Sequence, residues 1–222
     1  MLQNIFLFSC GKFCLELLDM FEELTNKNKF KIIAVIDKER KNKSKLESMI
    51  GYEVPFYNNL NSKIYKKLKK LKAKPIITNG NPKIRNKIFK KEKKNFSFLT
   101  LIHHNANISK LSHIKKGAIV CNYVYVGTNT VIKENVLINV ASVIGHDVII
   151  LDSSVLSPKS NINGNCFIGK SSLVGSSSVI MSNVKLGNDC KLAPLSVLYK
   201  STGNNLILKG NPAIEIIKNN ER

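Results

Sequence analysis

A chain of 222 residues that is 43% apolar has enough nonpolar surface for one or two cores, and no apolar stretch in it is long enough to cross a bilayer. Its formal charge of +20 is front-loaded: residues 1–100 hold 23 Lys and Arg against 9 Asp and Glu, and residues 101–222 hold 12 against 6. No RNA-binding aromatic motif, helix-turn-helix or zinc finger accompanies these lysines, so nucleic acid is not the expected partner. A positive surface suits an anionic small molecule.

Residues 2–8 form a short strand-like run in place of the basic-then-apolar pattern of a secretory leader. The five cysteines are scattered, and Cys166 and Cys190 fall among small residues. They read as reduced packing residues of a cytoplasmic protein. Cys10 and Cys14 lack the partners of a zinc site, and no metal is expected.

In chain order, a strand over residues 5–8 leads through Ser9-Cys10-Gly11-Lys12 into an amphipathic helix over 13–24. A second strand, 32–36, ends on Asp37. Polar sequence and residues 52–57 follow, then a lysine-rich helix around 64–71. A third strand at 75–78 runs into Asn79-Gly80-Asn81-Pro82 and a helix over 83–93, and residues 96–102 read as the last strand. Strands alternating with helices predict a Rossmann-like α/β domain over residues 1–102. An acid at the end of the second strand is where such sheets meet a ribose or sugar hydroxyl. The first loop lacks two glycines of the dinucleotide fingerprint, so a nicotinamide cofactor is not expected.

The second half has a different grammar. From Ile108 to Leu198, sixteen aliphatic residues stand six apart without a miss, Ile144, Ile150, Leu156, Ile162 and Ile168 among them. Four residues after a rung the side chain is small or β-branched, as at Ala118, Thr130, Ser142, Ser154, Ser160, Ser172, Ser178 and Ser196. Glycine directly follows a rung at Gly127, Gly145, Gly169, Gly175 and Gly187, where a tight corner would need unusual φ/ψ. A strict period of six predicts a left-handed parallel β-helix over residues 103–222, three hexapeptides to a coil. Residues i and i+18 then stack about 4.8 Å apart, giving about five coils. After Leu198 the beat breaks, and Lys209-Gly210-Asn211-Pro212-Ala213 precedes a short C-terminal helix or tail.

A small Rossmann-like domain, then hexapeptide coils, then a terminal Gly-x-Pro-Ala resembles the sialic acid O-acetyltransferase (NeuD-like) family, which also includes the bacillosamine-pathway N-acetyltransferases (PglD-like). The residues that carry the resemblance are Ile5 to Phe13, Val35-Ile36-Asp37-Lys38, Thr78-Asn79-Gly80-Asn81 with Arg85, Leu101-Ile102-His103, Ser142 to Asp147, and Gly210-Asn211-Pro212-Ala213. It implies acetyl transfer from acetyl-coenzyme A to a sugar or nucleotide-sugar, a homotrimer with sites between subunits, and a catalytic histidine in the corner Ile144-Gly145-His146-Asp147. Two departures stand out. The family's glycine-rich loop has become Ser9-Cys10-Gly11-Lys12. Where PglD-like enzymes have a second histidine nine residues after the first, this chain has Val155, which moves the resemblance towards the NeuD-like, O-acetylating members.

On this reading His146 is the general base and Asp147 its orienter. Gly164, one coil above His146, leaves a slot for the thioester and offers an N–H to the developing oxyanion. Coenzyme A is expected along Gly164, Gly175, Ser176, Ala193 and Pro194, with its adenine end near Gly210 and Pro212. The acceptor is expected between the N-terminal domain and the first coils, met by Ser9, Lys12, Asp37, Asn79, Asn81 and Arg85. No Ser or Cys is paired with a base as a covalent nucleophile would be, so direct transfer is expected. A hexapeptide zinc hydrolase would need three convergent histidines, and only His146 occupies a suitable corner; His103, His104 and His113 lie elsewhere. The other readings are N-acetylation of a nucleotide-linked amino sugar and a non-catalytic oligomeric β-helix that serves as a binding module.

Overall fold

The computed structural model describes residues 2–25 and 29–218. They form two compact units, one within residues 1–80 with 88–99, the other within 81–87 and 100–222.

In the first unit, β1 (Gln3–Phe8) is flanked by β2 (Phe30–Ile36) and β4 (Lys74–Ile77), and β3 (Phe56–Tyr57) completes the order β3-β2-β1-β4. All pairings are parallel, the Rossmann-like arrangement the alternation predicts. The expected helix over 13–24 is two, α1 (Lys12–Met20) and α2 (Glu22–Thr25). Sequence reading missed α3 (Lys43–Ile50), in which Leu46 and Ile50 alone are buried, four apart on one face. Its end is set by Gly51 in the left-handed conformation at φ +73°. The lysine-rich helix is α4 (Ser62–Lys70), capped by the Asn61 side chain, which accepts from the Ile64 N–H at 3.0 Å. The last predicted strand shrinks. Phe96 and Phe98 belong to a buried aromatic cluster with Phe6, Phe8 and Phe89, Phe96 lying 5.0 Å from Phe6 and Phe98 4.8 Å from Phe89. Packing those rings takes the place of a ladder over this segment.

The helix α5 (Pro82–Glu92) contributes residues to both units. The second unit opens with β5 (Leu101–Ile102), followed by sixteen two-residue strands, β6 to β21, the first Asn107–Ile108 and the last Val197–Leu198. Every one ends on a predicted rung. They stack in parallel at i and i+18 into three faces, which makes a β-helix. From Val120 to Leu198 the rungs are at most 1% exposed; each buried aliphatic contributes about 1.5–3 kcal/mol. The expected C-terminal helix is instead an antiparallel hairpin, β22 (Leu206–Gly210) and β23 (Ala213–Lys218), with β22 pairing in parallel to the last strand of one face.

The corners correct one sequence argument. From Ile114 to Leu192 the left-handed residue is the third after a rung and is rarely glycine: it recurs every six residues from Tyr123 (φ +57°) through Asp147 (+56°) to Leu195 (+58°). Each turns the chain, and from Asn135 onward each donates its N–H to the coil below, as Asp147 does to Thr128 O (2.9 Å). The glycines directly after rungs are needed for a different reason. A Cβ on Gly169 would stand 2.3 Å from the backbone of Gly187, so adjacent coils approach too closely there for any side chain. The small register is buried, and its hydroxyls satisfy corner carbonyls: Thr130 Oγ1 donates to Gly145 O (2.7 Å), Ser154 to Gly169 O (2.6 Å) and Ser172 to Gly187 O (2.7 Å).

Candidate active site

His146 and Asp147 occupy the corner after the strand Val143–Ile144. Side chains two and three residues past a rung leave the core, and both are exposed. On an extended strand two adjacent side chains would diverge. The left-handed φ of Asp147 bends them together, and His146 Nδ1 lies 2.7 Å from Asp147 Oδ2. The pairing makes Nδ1 the protonated nitrogen that donates to the carboxylate, which leaves Nε2 with its lone pair. Asp147 in turn accepts from Asn129 Nδ2 at 3.3 Å, one coil below. Hydrogen bonds from His146, foremost, and from Asn129 hold the Asp147 carboxyl below the ordinary carboxylate range. Sequence reading missed Asn129, although it was findable: it stands 18 residues before Asp147, in the stacking register.

Gly164 lies one coil above His146, through the pairing Ile144↔Ile162. The slot its missing side chain leaves is not vacant for a thioester, because the imidazole fills it. A Cβ on Gly164 would stand 2.5 Å from His146 Nε2 and 2.7 Å from Cε1. Glycine at this place seats the base.

The other residues assigned to the coenzyme do not stack on His146. Gly175-Ser176 and Ala193-Pro194 form the preceding corner, on the far edge of the face that carries Val143–Ile144. They stack tightly on one another, since a Cβ on Gly175 would meet Pro194 N at 2.5 Å. Gly210 and Pro212 belong to the turn between β22 and β23, where the Gly210 N–H donates to Ser196 Oγ (3.0 Å).

In the first unit the C-terminal ends of the strands bring Ser9, Asp37 and Asn79 together. Asp37 Oδ2 accepts from the Cys10 N–H (2.6 Å) and Oδ1 from the Glu39 N–H (3.0 Å). Asn79 Nδ2 lies 3.5 Å from Ser9 Oγ. Two further residues shape this loop: buried Thr78 donates to Phe8 O (2.9 Å), and Asn42 Nδ2 donates to Cys10 O (2.7 Å). Lys12 is the first residue of α1 and is exposed.

Asn81 and Arg85 fall in the second unit instead. Asn81 Oδ1 accepts from the N–H groups of Lys83 and Ile84 at 2.9 and 3.2 Å, the work of a helix cap on α5. Arg85 corrects the sequence reading outright. Its guanidinium is fully buried and donates to Asn135 O (3.0 and 3.2 Å) and to Asn135 Oδ1 (2.9 Å), tying α5 to a coil corner. Burial lowers its pKa to about 9, so it stays charged at neutral pH. It is committed to packing and cannot meet a ligand from solvent.

No protein-family model matches the chain. Solved structures do. The acetyltransferase domain of PglB from Neisseria gonorrhoeae FA1090 superposes with a TM-score of 0.81 at 21% identity, over 96% of this chain and all of that one. Perosamine N-acetyltransferase from Caulobacter crescentus, solved with CoA and GDP-perosamine, gives 0.83 at 18% identity over 97% of each chain. WeeI from Acinetobacter baumannii AYE gives 0.77 at 21% identity, over 96% of this chain and all of that one. The chain therefore has, along almost its whole length, the fold of these proteins: a Rossmann-like N-terminal unit followed by a left-handed β-helix.

Proposed function

We propose that the protein transfers an acetyl group from acetyl-coenzyme A to a sugar, with His146 as general base and no acyl-enzyme. The observation that carries this reading is the exposed His146 imidazole, held through Nδ1 by Asp147 and seated on Gly164. Full-length likeness to acetyltransferases solved with CoA or acetyl-coenzyme A supports it, and the same likeness counts against a non-catalytic binding module.

In this mechanism Nε2 takes the proton from an acceptor hydroxyl or amine while its oxygen or nitrogen forms the new bond to the acetyl carbon. The C–S bond breaks, and the imidazolium returns the proton to the departing thiolate. Asp147 stabilises the imidazolium between these steps and fixes the tautomer. Stabilisation of the developing oxyanion is assigned to the Gly164 N–H, which donates to no acceptor among the described residues. Gly164, Gly175, Ser176, Ala193 and Pro194, with Gly210 and Pro212 at the adenine end, are the proposed coenzyme contacts; coenzyme A supplies the activated acetyl group.

For the acceptor, two readings have support. N-acetylation of a nucleotide-linked amino sugar leads, because the perosamine N-acetyltransferase matches over 97% of each chain. O-acetylation is favoured by Val155, buried at 4%, where a second histidine is expected of PglD-like enzymes. Ser9, Lys12, Asp37 and Asn79 are the proposed acceptor contacts. A homotrimer is proposed in addition, consistent with the exposed Tyr125, Val143 and Ile149 on the coil faces. Release of coenzyme A with a panel of free sialic acids and UDP-, GDP- and dTDP-linked amino sugars tests the reading and separates the acceptors. No release with any member would overturn it, and light scattering measures the assembly.

A further inference from the structure

Between Val54 and Gly80 the chain carries seven lysines and no acid. Five of them lie in α4, which buries Ile64 and Leu68 and leaves Lys63, Lys66, Lys67, Lys69 and Lys70 in solvent. Lys63, Lys67 and Lys70 follow at helical spacing on one face, with Leu71 beside them. Among the described residues none of the five makes an ion pair; those found are elsewhere, as at Lys29–Glu23 and Lys43–Glu47. Lys67, Lys69 and Lys70 in the last turn meet the negative end of the helix dipole, but like charges four apart repel, and no acid from a neighbouring element offsets the five in an ion pair.

Lys67 and Leu71 also border a groove of about 660 Å³ at the N-terminal edge of β2, the end of the sheet away from Ser9, Asp37 and Asn79. Phe30, Ile33, Tyr52 and Pro55 give it an apolar lining, Lys31 adds a second cation, and Glu53 is its one acid. Leu2 and Leu71, each 39% exposed, stand at its border. An all-lysine helix face lacks the arginine forks with which nucleic acid is gripped, and the two rings that line the groove are engaged, Phe30 under the Lys29 ammonium and Tyr52 through a hydroxyl that accepts from the Ile32 N–H (2.8 Å). It offers what a lipid surface takes: ammonium groups for phosphates, and leucines with an apolar groove for acyl chains.

We propose that this face of the first unit, α4 with the groove beside it, is a docking surface for an anionic phospholipid bilayer. The site so formed is peripheral and does not use the acetyl-transfer residues. Each lysine near such a surface is worth about fivefold in binding.

Vesicle flotation of the whole protein tests this, comparing phosphatidylcholine alone with an equal mixture of phosphatidylcholine and phosphatidylglycerol. Wild type should partition onto the anionic vesicles only. The triple variant Lys63→Gln, Lys67→Gln, Lys70→Gln should lose about a hundredfold, with a melting temperature within a few degrees of wild type. Leu71→Ser should lose several-fold on vesicles and nothing on heparin. Equal binding of wild type to both vesicle types, or undiminished binding of the triple variant, overturns the proposal. Heparin or single-stranded DNA bound as tightly as vesicles, with Leu71→Ser affecting neither, would show a general polyanion surface and overturn the lipid assignment.

Discussion

The imidazole of His146 and a side chain at Gly164 would claim the same volume: a Cβ on Gly164 would lie 2.5 Å from Nε2. The neighbouring glycines clash differently. A Cβ on Gly145 would meet the Gly164 backbone N at 2.8 Å, and one on Gly127 the Gly145 backbone at 2.7 Å. A ring can swing away from an intruding methyl, whereas stacked backbone cannot move without parting the coils.

Two substitutions of the same size should therefore fail in opposite ways. Gly164→Ala should keep its melting temperature within a degree or two while turnover falls about a hundredfold, the scale of a misplaced catalytic group. Gly145→Ala should cost about 1–3 kcal/mol of stability by overpacking, seen as a melting temperature several degrees lower. Loss of stability in the first variant, or none in the second, would contradict the packing described.

Removing the base should leave the fold intact, because the His146 side chain lies outside the core. His146→Ala should reduce coenzyme A release by about a hundredfold or more, and Asp147→Asn by less, since the amide keeps the shape but not the charge. Steady-state kinetics on the folded variants measures this. A His146→Ala enzyme of near-normal turnover would remove the imidazole from the mechanism.

The state of Asp147 can be read directly. Its carboxyl is held low chiefly by the His146 hydrogen bond and next by Asn129, and a bond to the charged form makes deprotonation easier. Loss of a donor must raise the titration midpoint. The Asp147 side-chain carbon followed by NMR between pH 2 and 7 should titrate below the ordinary carboxylate range. The midpoint should rise in Asn129→Ala and rise further in His146→Ala. A group depressed in this way stabilises the fold above its unfolded pKa and ceases to do so as pH falls through the folded value. Because Asp147 is exposed to solvent, which screens these contacts, the melting temperature should barely follow.

The coils were legible in sequence because each rung answers to one burial requirement repeated at a fixed spacing, and all sixteen positions became strand ends. Stacking at i+18 also put Gly164 over His146. What the spacing could not give was the direction of side chains at corners. The left-handed φ of Asp147, three residues past a rung, turns it onto the imidazole, and the ring itself takes the space over Gly164. Arg85 misled for a related reason. A cation in a motif reads as a ligand contact, and only the fold reveals that the Asn135 carbonyl and side chain claim it. The short helix Lys43–Ile50 escaped because Leu46 and Ile50 are too sparse to set a period.

Lys12 gives the sharpest test of where the acceptor binds. It opens α1, is solvent-exposed, and follows Ser9 and Cys10, whose backbone is tied to Asp37 and Asn42. An ammonium at a helix N-terminus, beside the carboxyl ends of parallel strands, suits a carboxylated or phosphorylated acceptor. Lys12→Ala should raise the KM for a charged acceptor about tenfold and leave the KM for acetyl-coenzyme A unchanged, since the contact is made equally in ground and transition states. Lys12→Arg should restore most of the loss. A neutral sugar acceptor, if accepted, should show no difference between the variants. Equal effects on both substrates would place the lysine near the coenzyme instead, and no effect on either would mean that Lys12 belongs to the solvated surface of a lysine-rich chain.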